Sequence, residues 1–398
     1  MKNINIYFLI ALFLFFIPFS GKSQTYNANF AAVVNQTSQV NITNNLTAFE
    51  NLGVKRRGTA ALQNTLDWLK NKYLSFGYAT SQLQEFSYTY SGSTSVVKNL
   101  VVTNIGTLYP NQFIIVCGHY DSIVGTGTND NGSGIVSILE IARLLQNIPT
   151  DYSIKFINFS GEEDGLRGSQ NYVATVVNST SPKMDIKVVF NLDEVGGVAG
   201  ANNNTITCEK DTSSPTSNNA ASAVVTNQLI QCVQLYTPLQ TLLASAYASD
   251  YIPFQSNGEI ITGLFETNET THRHTATDLL ANMDVVYNFN VAKAAVAATL
   301  FYAGANASTL GTGTTTFENE FKVFQVATND SLYFTLGSIK AETFKVSLID
   351  LNGKLVLSKT VTNDIPTHAI SVNSISQGMY LIRIEAEGKI LTKKIVLQ

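Results

Sequence analysis

Cysteine is scarce in this 398-residue chain, which holds only Cys117, Cys208 and Cys232. That scarcity excludes a disulfide framework as the main stabiliser, even for an exported protein. Cys117 lies inside an apolar, strand-like run and reads as a core residue; Cys208 and Cys232 remain free to pair in an oxidising compartment. Charge is thin as well. Charged residues make up 14% of the chain and balance to −4, with no basic stripe, so the electrostatic footprint of a nucleic-acid binder is missing. Long hydrophobic runs are confined to the amino terminus, where Lys2 precedes an apolar stretch over 6–17 and Gly21-Lys22-Ser23 supplies small residues. The stretch is too short to cross a bilayer comfortably and reads as a cleaved signal peptide over 1–23, with a mature chain that starts near Gln24 and has no membrane span.

What remains is a globular chain, 44% hydrophobic and long enough for two domains. Residues 24–49 are rich in Asn, Thr and Val without a clear period and read as an extension. Leu62, Leu66, Leu69 and Tyr73 then recur at helical spacing, and Gly77 closes the run. Strand-like segments at 100–103, 113–117, 154–159, 188–192 and 260–265 alternate with helical ones at 135–145, 167–176, 220–235 and 283–302. Such alternation predicts an α/β domain over 24–305, a mostly parallel sheet sandwiched by helices. A Gly/Ser/Thr stretch at 306–316 reads as a linker. Beyond it, 344–349 and 354–357 alternate around Asn352-Gly353, and 380–384 and 390–396 form a second pair, which predicts a small all-β sandwich over 317–398. With no Cys, a lone His368 and no acidic cluster, that sandwich is assigned no chemistry.

The polar clusters sit where strands end or helices begin: Gly118-His119-Tyr120-Asp121-Ser122, Asn129-Asp130-Asn131-Gly132-Ser133-Gly134, Ser160-Gly161-Glu162-Glu163-Asp164, Asn191-Leu192-Asp193-Glu194-Val195-Gly196, and His272-Arg273-His274-Thr275 with Asp278. The carboxyl ends of strands in an open parallel sheet line the crevice where ligands bind. Imidazole and carboxylate without thiolate suit zinc, and manganese or cobalt as well. Five ligands are too many for one tetrahedral ion but suit two bridged by a carboxylate and spaced about 3.5–4 Å apart. Adjacent residues of an extended segment point to opposite sides, so one of Glu162 and Glu163 can bind metal while the other faces a water as general base. Taken singly, the residues have blander readings, such as helix N-capping for Asp130.

In this order and spacing the five segments resemble the M28 family of zinc exopeptidases, over roughly residues 57–303. The resemblance implies that His119, Asp130, Glu163, Asp193 and His274 hold two Zn²⁺ ions, with Asp130 bridging. It makes Glu162 the general base and Asp121 the residue that orients the His119 imidazole. His274 is preferred to His272 because Thr275 and Asp278 follow it in the family spacing. Ser249-Asp250-Tyr251-Ile252-Pro253-Phe254 also resembles a family segment, with Tyr251 in place of the usual His, and Arg273 stands where some members carry a carbonyl-polarising Tyr; Tyr247 and Tyr251 are the remaining candidates for that task. Gly378-Met379-Tyr380-Leu381-Ile382-Arg383-Ile384 and the closing Lys393-Lys394-Ile395-Val396-Leu397-Gln398 resemble the C-terminal sorting domains of the type IX secretion system. Together these imply a secreted or surface-bound aminopeptidase acting on peptides with a free N-terminus and exported through its C-terminal domain. A glutaminyl cyclase-like enzyme with a single zinc and a non-catalytic surface binding protein are the alternatives.

Overall fold

Eight strands form one mixed sheet, and its parallel centre sets the position of every polar cluster. The structure is a computed structural model that describes residues 25–305 except 90, 91 and 93, and further on 322–325, 331–335, 343–350, 354–362, 367–386 and 389–397. The signal-like segment, the linker and the Asn352-Gly353 turn lie outside the described residues. The chain divides into two compact units, one within residues 1–310 and the other within 311–398.

In the first unit the elements run α1 (Ala28–Val34), α2 (Gln39–Asn51), α3 (Ala60–Ser75), β1 (Leu83–Tyr88), β2 (Val97–Asn104), β3 (Tyr109–His119), α4 (Gly132–Leu145), β4 (Tyr152–Phe159), α5 (Arg167–Tyr172), β5 (Asp185–Leu192), β6 (Thr205–Lys210), α6 (Asn219–Tyr236), β7 (Gln240–Ser245), α7 (Ile252–Ser256), β8 (Ile261–Glu266) and α8 (Val285–Tyr302). The strand order is β1-β2-β4-β3-β5-β8-β6-β7. Strands β4, β3, β5 and β8 are mutually parallel, while β1–β2, β2–β4 and β6–β8 pair antiparallel.

Side chains of a strand point alternately to the two faces, and both faces here are apolar. Ile114 and Val116 join the core beneath α3, α4, α6 and α8; Ile115 and Cys117 face the other way, toward Tyr172, Val173 and Phe254 of the α5–α7 layer. Fully burying a side chain such as Phe156 or Ile115 contributes about 1.5–3 kcal/mol, which anchors the centre of the sheet. The helix read from Leu62, Leu66, Leu69 and Tyr73 is α3; Thr59 caps it, and Gly77 takes φ +99°, the left-handed conformation that a chain leaving a helix needs.

Several segments depart from the sequence reading. The extension at 24–49 is helical and part of the core. Asn27 and Ser38 cap α1 and α2 through their side chains, Phe30 and Val34 enter the main core, and Ile42 and Leu46 pack with Val136 and Ala292. Exposed Val40 and buried Asn45 blur the period there. Strands β1, β6 and β7 went unread because β1 and β7 are largely solvent-facing and β6 alternates Ile206 and Cys208 with Thr207 and Glu209. Cys208 and Cys232 are both buried free thiols.

The second unit holds two antiparallel sheets with one shared core. Strands β9 (Lys322–Gln325), β10 (Ser331–Thr335) and β13 (His368–Ser371) form one; β11 (Thr343–Asp350), β12 (Leu355–Thr362), β14 (Gly378–Ala386) and β15 (Lys389–Leu397) form the other. Leu332 and Phe334 of the first meet Phe344, Val346 and Ile382 of the second. His368 is buried, stacked on Phe334 and edge-on to Phe344, as an aromatic core residue.

Candidate metal centre

The parallel strands deliver the polar clusters to one edge. His119 is the last residue of β3, Glu162 and Glu163 follow β4, Asp193 follows β5, and the loop after β8 carries His274. Asp130 arrives from the turn that leads into α4. Its backbone lies just ahead of the helix cap, which is Asn131: the Asn131 side chain accepts from Gly134 N–H at 2.9 Å and donates to the Leu192 carbonyl at 2.8 Å. That leaves the Asp130 carboxylate available for the cavity rather than for N-capping. The glycines in this motif have a steric cause, since a Cβ on Gly134 would come within 2.4 Å of Leu192 O and 2.3 Å of Asn131 Oδ1.

Two triads of ligand atoms result, His119–Asp130–Asp193 and Asp130–Glu163–His274, with Asp130 in both. His119 Nε2 lies 3.2 Å from Asp130 Oδ1 and 3.4 Å from Asp193 Oδ1; His274 Nε2 lies 3.1 Å from Asp130 Oδ2 and 3.0 Å from Glu163 Oε2. The two Asp130 oxygens thus face different imidazoles. Glu162 belongs to neither triad, and its Oε2 stands 3.9 Å from His119 Nε2. His272 turns away, with Nδ1 2.8 Å from Thr277 Oγ1. Asp121 sits behind His119: its carbonyl is 3.2 Å from Nδ1 and its carboxylate 3.7 Å away, while the carboxylate oxygens accept the backbone N–H groups of Glu162 and Glu163, each at 3.3 Å. It therefore ties the imidazole to the acidic doublet.

A further ring of side chains fixes these ligands. The Asp278 carboxylate accepts the N–H groups of Asn129 and Asp130; Glu266 accepts from Asn129 Nδ2, Gly197 N and Thr270 N; Ser249 donates to Asp193 Oδ2 at 2.5 Å. Lys55, fully buried over the Phe49 ring, donates to the carbonyls of Gly53 and Thr126 at 2.8 and 2.7 Å, and joins the amino-terminal segment to the loop before Asp130. Burial lowers its pKa to about 7. Glu194 lies in a cluster that the sequence singled out but was given no role there, and Glu266 and Lys55 were not read from the sequence, since nothing in their local pattern separates them from ordinary loop and strand-end residues.

The electrostatics are lopsided. Asp121, Asp130, Glu162, Glu163, Asp193, Glu194 and Asp250 are gathered, with Arg273 and the two imidazoles as the basic groups that act on them most strongly among the described residues. Burial drives Glu162 far above the usual carboxylate range and Glu163 to about 8. Asp130 is also penalised by burial, yet the hydrogen bonds from His119 and His274 hold it below that range. Asp193 Oδ1 is buried without a hydrogen-bond partner. Anionic oxygens crowded out of water and lacking partners fit divalent cations, which supply the missing positive charge.

Both triads open into a cavity of about 380 Å³, which Leu166, Glu194, Glu209, Tyr247, Phe265 and Arg273 also line. Among the described residues, the non-glycine residues with positive φ are Leu166, Glu194 and His274, all on this cavity. Such conformations cost about 1–3 kcal/mol each and concentrate where a site dictates the backbone.

A strand-end cluster of imidazoles and carboxylates over a mixed, helix-covered sheet defines an α/β protein of the metallohydrolase kind. Residues 99–299 match the family model of Peptidase family M28, and the chain belongs to that family. Residues 326–398 match the Secretion system C-terminal sorting domain. Among curated proteins, the chain is 43% identical over 86 residues to aminopeptidase YwaD of Bacillus subtilis (strain 168), covering 21% of this chain and 18% of that one. The chain matches less than half the length of the first curated relatives, 46% at most. Among solved structures, the Legionella pneumophila LapA aminopeptidase superposes with a TM-score of 0.60 at 22% identity, covering 71% of this chain and 78% of that one. A Macrostomum lignano glutaminyl cyclase gives 0.61 at 13%, covering 70% and 94%. Both likenesses are of fold. No helix among the described residues is long and apolar enough to cross a membrane.

Proposed function

We propose that this chain is an exported metallo-exopeptidase that removes N-terminal amino acids from peptides, with residues 24–305 as the catalytic domain, 306–316 as linker and 317–398 as the export address. The observation that carries the reading is the pair of ligand triads sharing Asp130. His119 and Asp193 would hold one zinc ion, Glu163 and His274 a second, and Asp130 both. Zinc there would polarise the scissile carbonyl and acidify a water. Glu162, outside the triads and raised by burial, is suited to take the proton of that water and pass it to the leaving amine nitrogen. Asp121 holds the Glu162–Glu163 backbone so that one carboxylate faces the ions and the other the water. The surplus of carboxylates around the cavity would hold the substrate's ammonium group, which favours a free N-terminus over an internal peptide segment. Tyr251 is buried with its hydroxyl donated to Glu209, so of the two tyrosines only the half-exposed Tyr247 is free to approach a carbonyl.

The sorting-domain match supports export by the type IX secretion machinery to the cell surface or medium. The glutaminyl cyclase alternative needs one ion, and the second triad argues against it. Metal analysis together with release of amino acid from aminoacyl nitroanilides is the test. Two equivalents of zinc, and activity lost to a chelator and restored by zinc, are expected; one equivalent with cyclase activity on N-terminal glutamine would replace this reading.

A further inference from the structure

The cavity wall beyond the metal ligands carries a carboxylate that the proposed reaction does not use. Glu209 lies on β6, is 3% exposed, and lines the cavity. Its cross-strand partner on β8 is Gly263, where a Cβ would come within 2.9 Å of Glu209 Oε2 and 2.8 Å of the Tyr251 ring. The missing side chain is what lets Glu209 and Tyr251 occupy that space. Tyr251 OH donates to Oε2 at 2.7 Å, the one hydrogen bond to this carboxylate among the described residues. Among the described residues no cation pairs with Glu209. Arg273, the one Lys or Arg lining the cavity, is engaged by Glu194 at 3.2 Å and Glu269 at 2.9 Å. Next to Glu209 stand Tyr247 and Phe265, rings edge to face with centroids 6.0 Å apart.

A buried carboxylate with one neutral donor and no counter-ion either takes up a proton or, where it is ionised, is completed by a cation from outside. Aromatic walls lead an aliphatic stem toward it and favour a cationic head at their faces. We infer that Glu209 is the specificity determinant of this cavity and selects peptides whose N-terminal residue carries a cationic side chain, lysine or arginine. The inference rests on the aminopeptidase reading and adds the substrate class to it.

The test is the ratio of kcat/KM for lysyl- and arginyl-p-nitroanilide to that for leucyl-p-nitroanilide, measured with the zinc-loaded full chain. Burial raises the Glu209 carboxyl to about 7, so the assay is run at about pH 8, where it is ionised. Each ratio comes from a single preparation, so an inactive fraction cancels. Glu209→Gln is expected to lower the ratio by about 10- to 100-fold, the range for loss of one charged hydrogen bond. Glu209→Asp, which keeps the charge, is expected to restore part of it. A ratio that Glu209→Gln leaves unchanged or raises overturns the assignment, whatever the wild-type preference. If the zinc-loaded wild type releases nitroaniline from none of the three substrates, the aminopeptidase reading falls and takes this inference with it.

Discussion

Asp278 holds the backbone of Asp130 from 148 residues away: its carboxylate accepts the Asp130 N–H at 3.1 Å and the neighbouring Asn129 N–H at 2.8 Å. The loop after β8 and the turn before α4 are thereby locked together, and the residue common to both triads is fixed by its main chain. Asp278→Ala should weaken zinc binding about 10- to 100-fold, as loss of a ligand's supporting contact does. Competition with a chromogenic chelator reads it; unchanged zinc affinity would remove Asp278 from this role.

Glu162→Gln keeps both triads intact and removes the proposed proton acceptor. The expected result is full zinc content with kcat reduced by about 10²–10⁴-fold. Near-normal turnover in a zinc-replete variant would transfer the base role elsewhere.

The metal-free protein should grow more stable as pH falls from about 8 to about 6. Burial raises Glu209, Glu266 and Asp250 to about 7 each. The folded state then binds these protons more tightly than the unfolded chain, so the penalty for their charge is full above 7 and vanishes toward the unfolded values near 4. Lys55, lowered to about 7, acts in the opposite sense as one group against three, and Asp130, held low, loses its contribution only at more acidic pH. Thermal melts of chelator-stripped protein check the sign, and a melting temperature that falls between pH 8 and pH 6 would contradict it.

Gly134→Ala should cost about 1–3 kcal/mol, because the added methyl group meets the Leu192 carbonyl and the Asn131 cap. Urea denaturation measures it, and a loss under about 0.5 kcal/mol, the level of an ordinary surface substitution, would show that the turn yields.

How far the sequence went depended on whether a residue's task shows in its local pattern. Strands β3, β4, β5 and β8 are buried on both faces and read as apolar runs, so the polar residues at their ends stood out. The clusters that hold His119, Asp130, Glu163, Asp193 and His274 were found that way, the family resemblance picked these five out of them, and the structure brings all five to one cavity. Glu266 and Glu209 bear on the same cavity but sit inside strand patterns, where a carboxylate looks like a solvent-facing position until the neighbouring strand is known. Strand β7 pairs only along one edge, and its half-exposed side chains leave no clear alternation. Helix α1 escaped because it is only seven residues long, and α2 because its buried stripe includes Asn45.

The bonds from Lys55 to the carbonyls of Gly53 and Thr126 limit how far the amino-terminal segment can be shortened. Trimming downstream of Asn27 would strip the cap from α1 and, pursued further, the ammonium group that secures the turn ahead of Asp130. A recombinant version that keeps this cap must therefore begin no later than Asn27, and a proteolytic nick between α2 and α3 would loosen the segment that Lys55 ties to the turn ahead of Asp130.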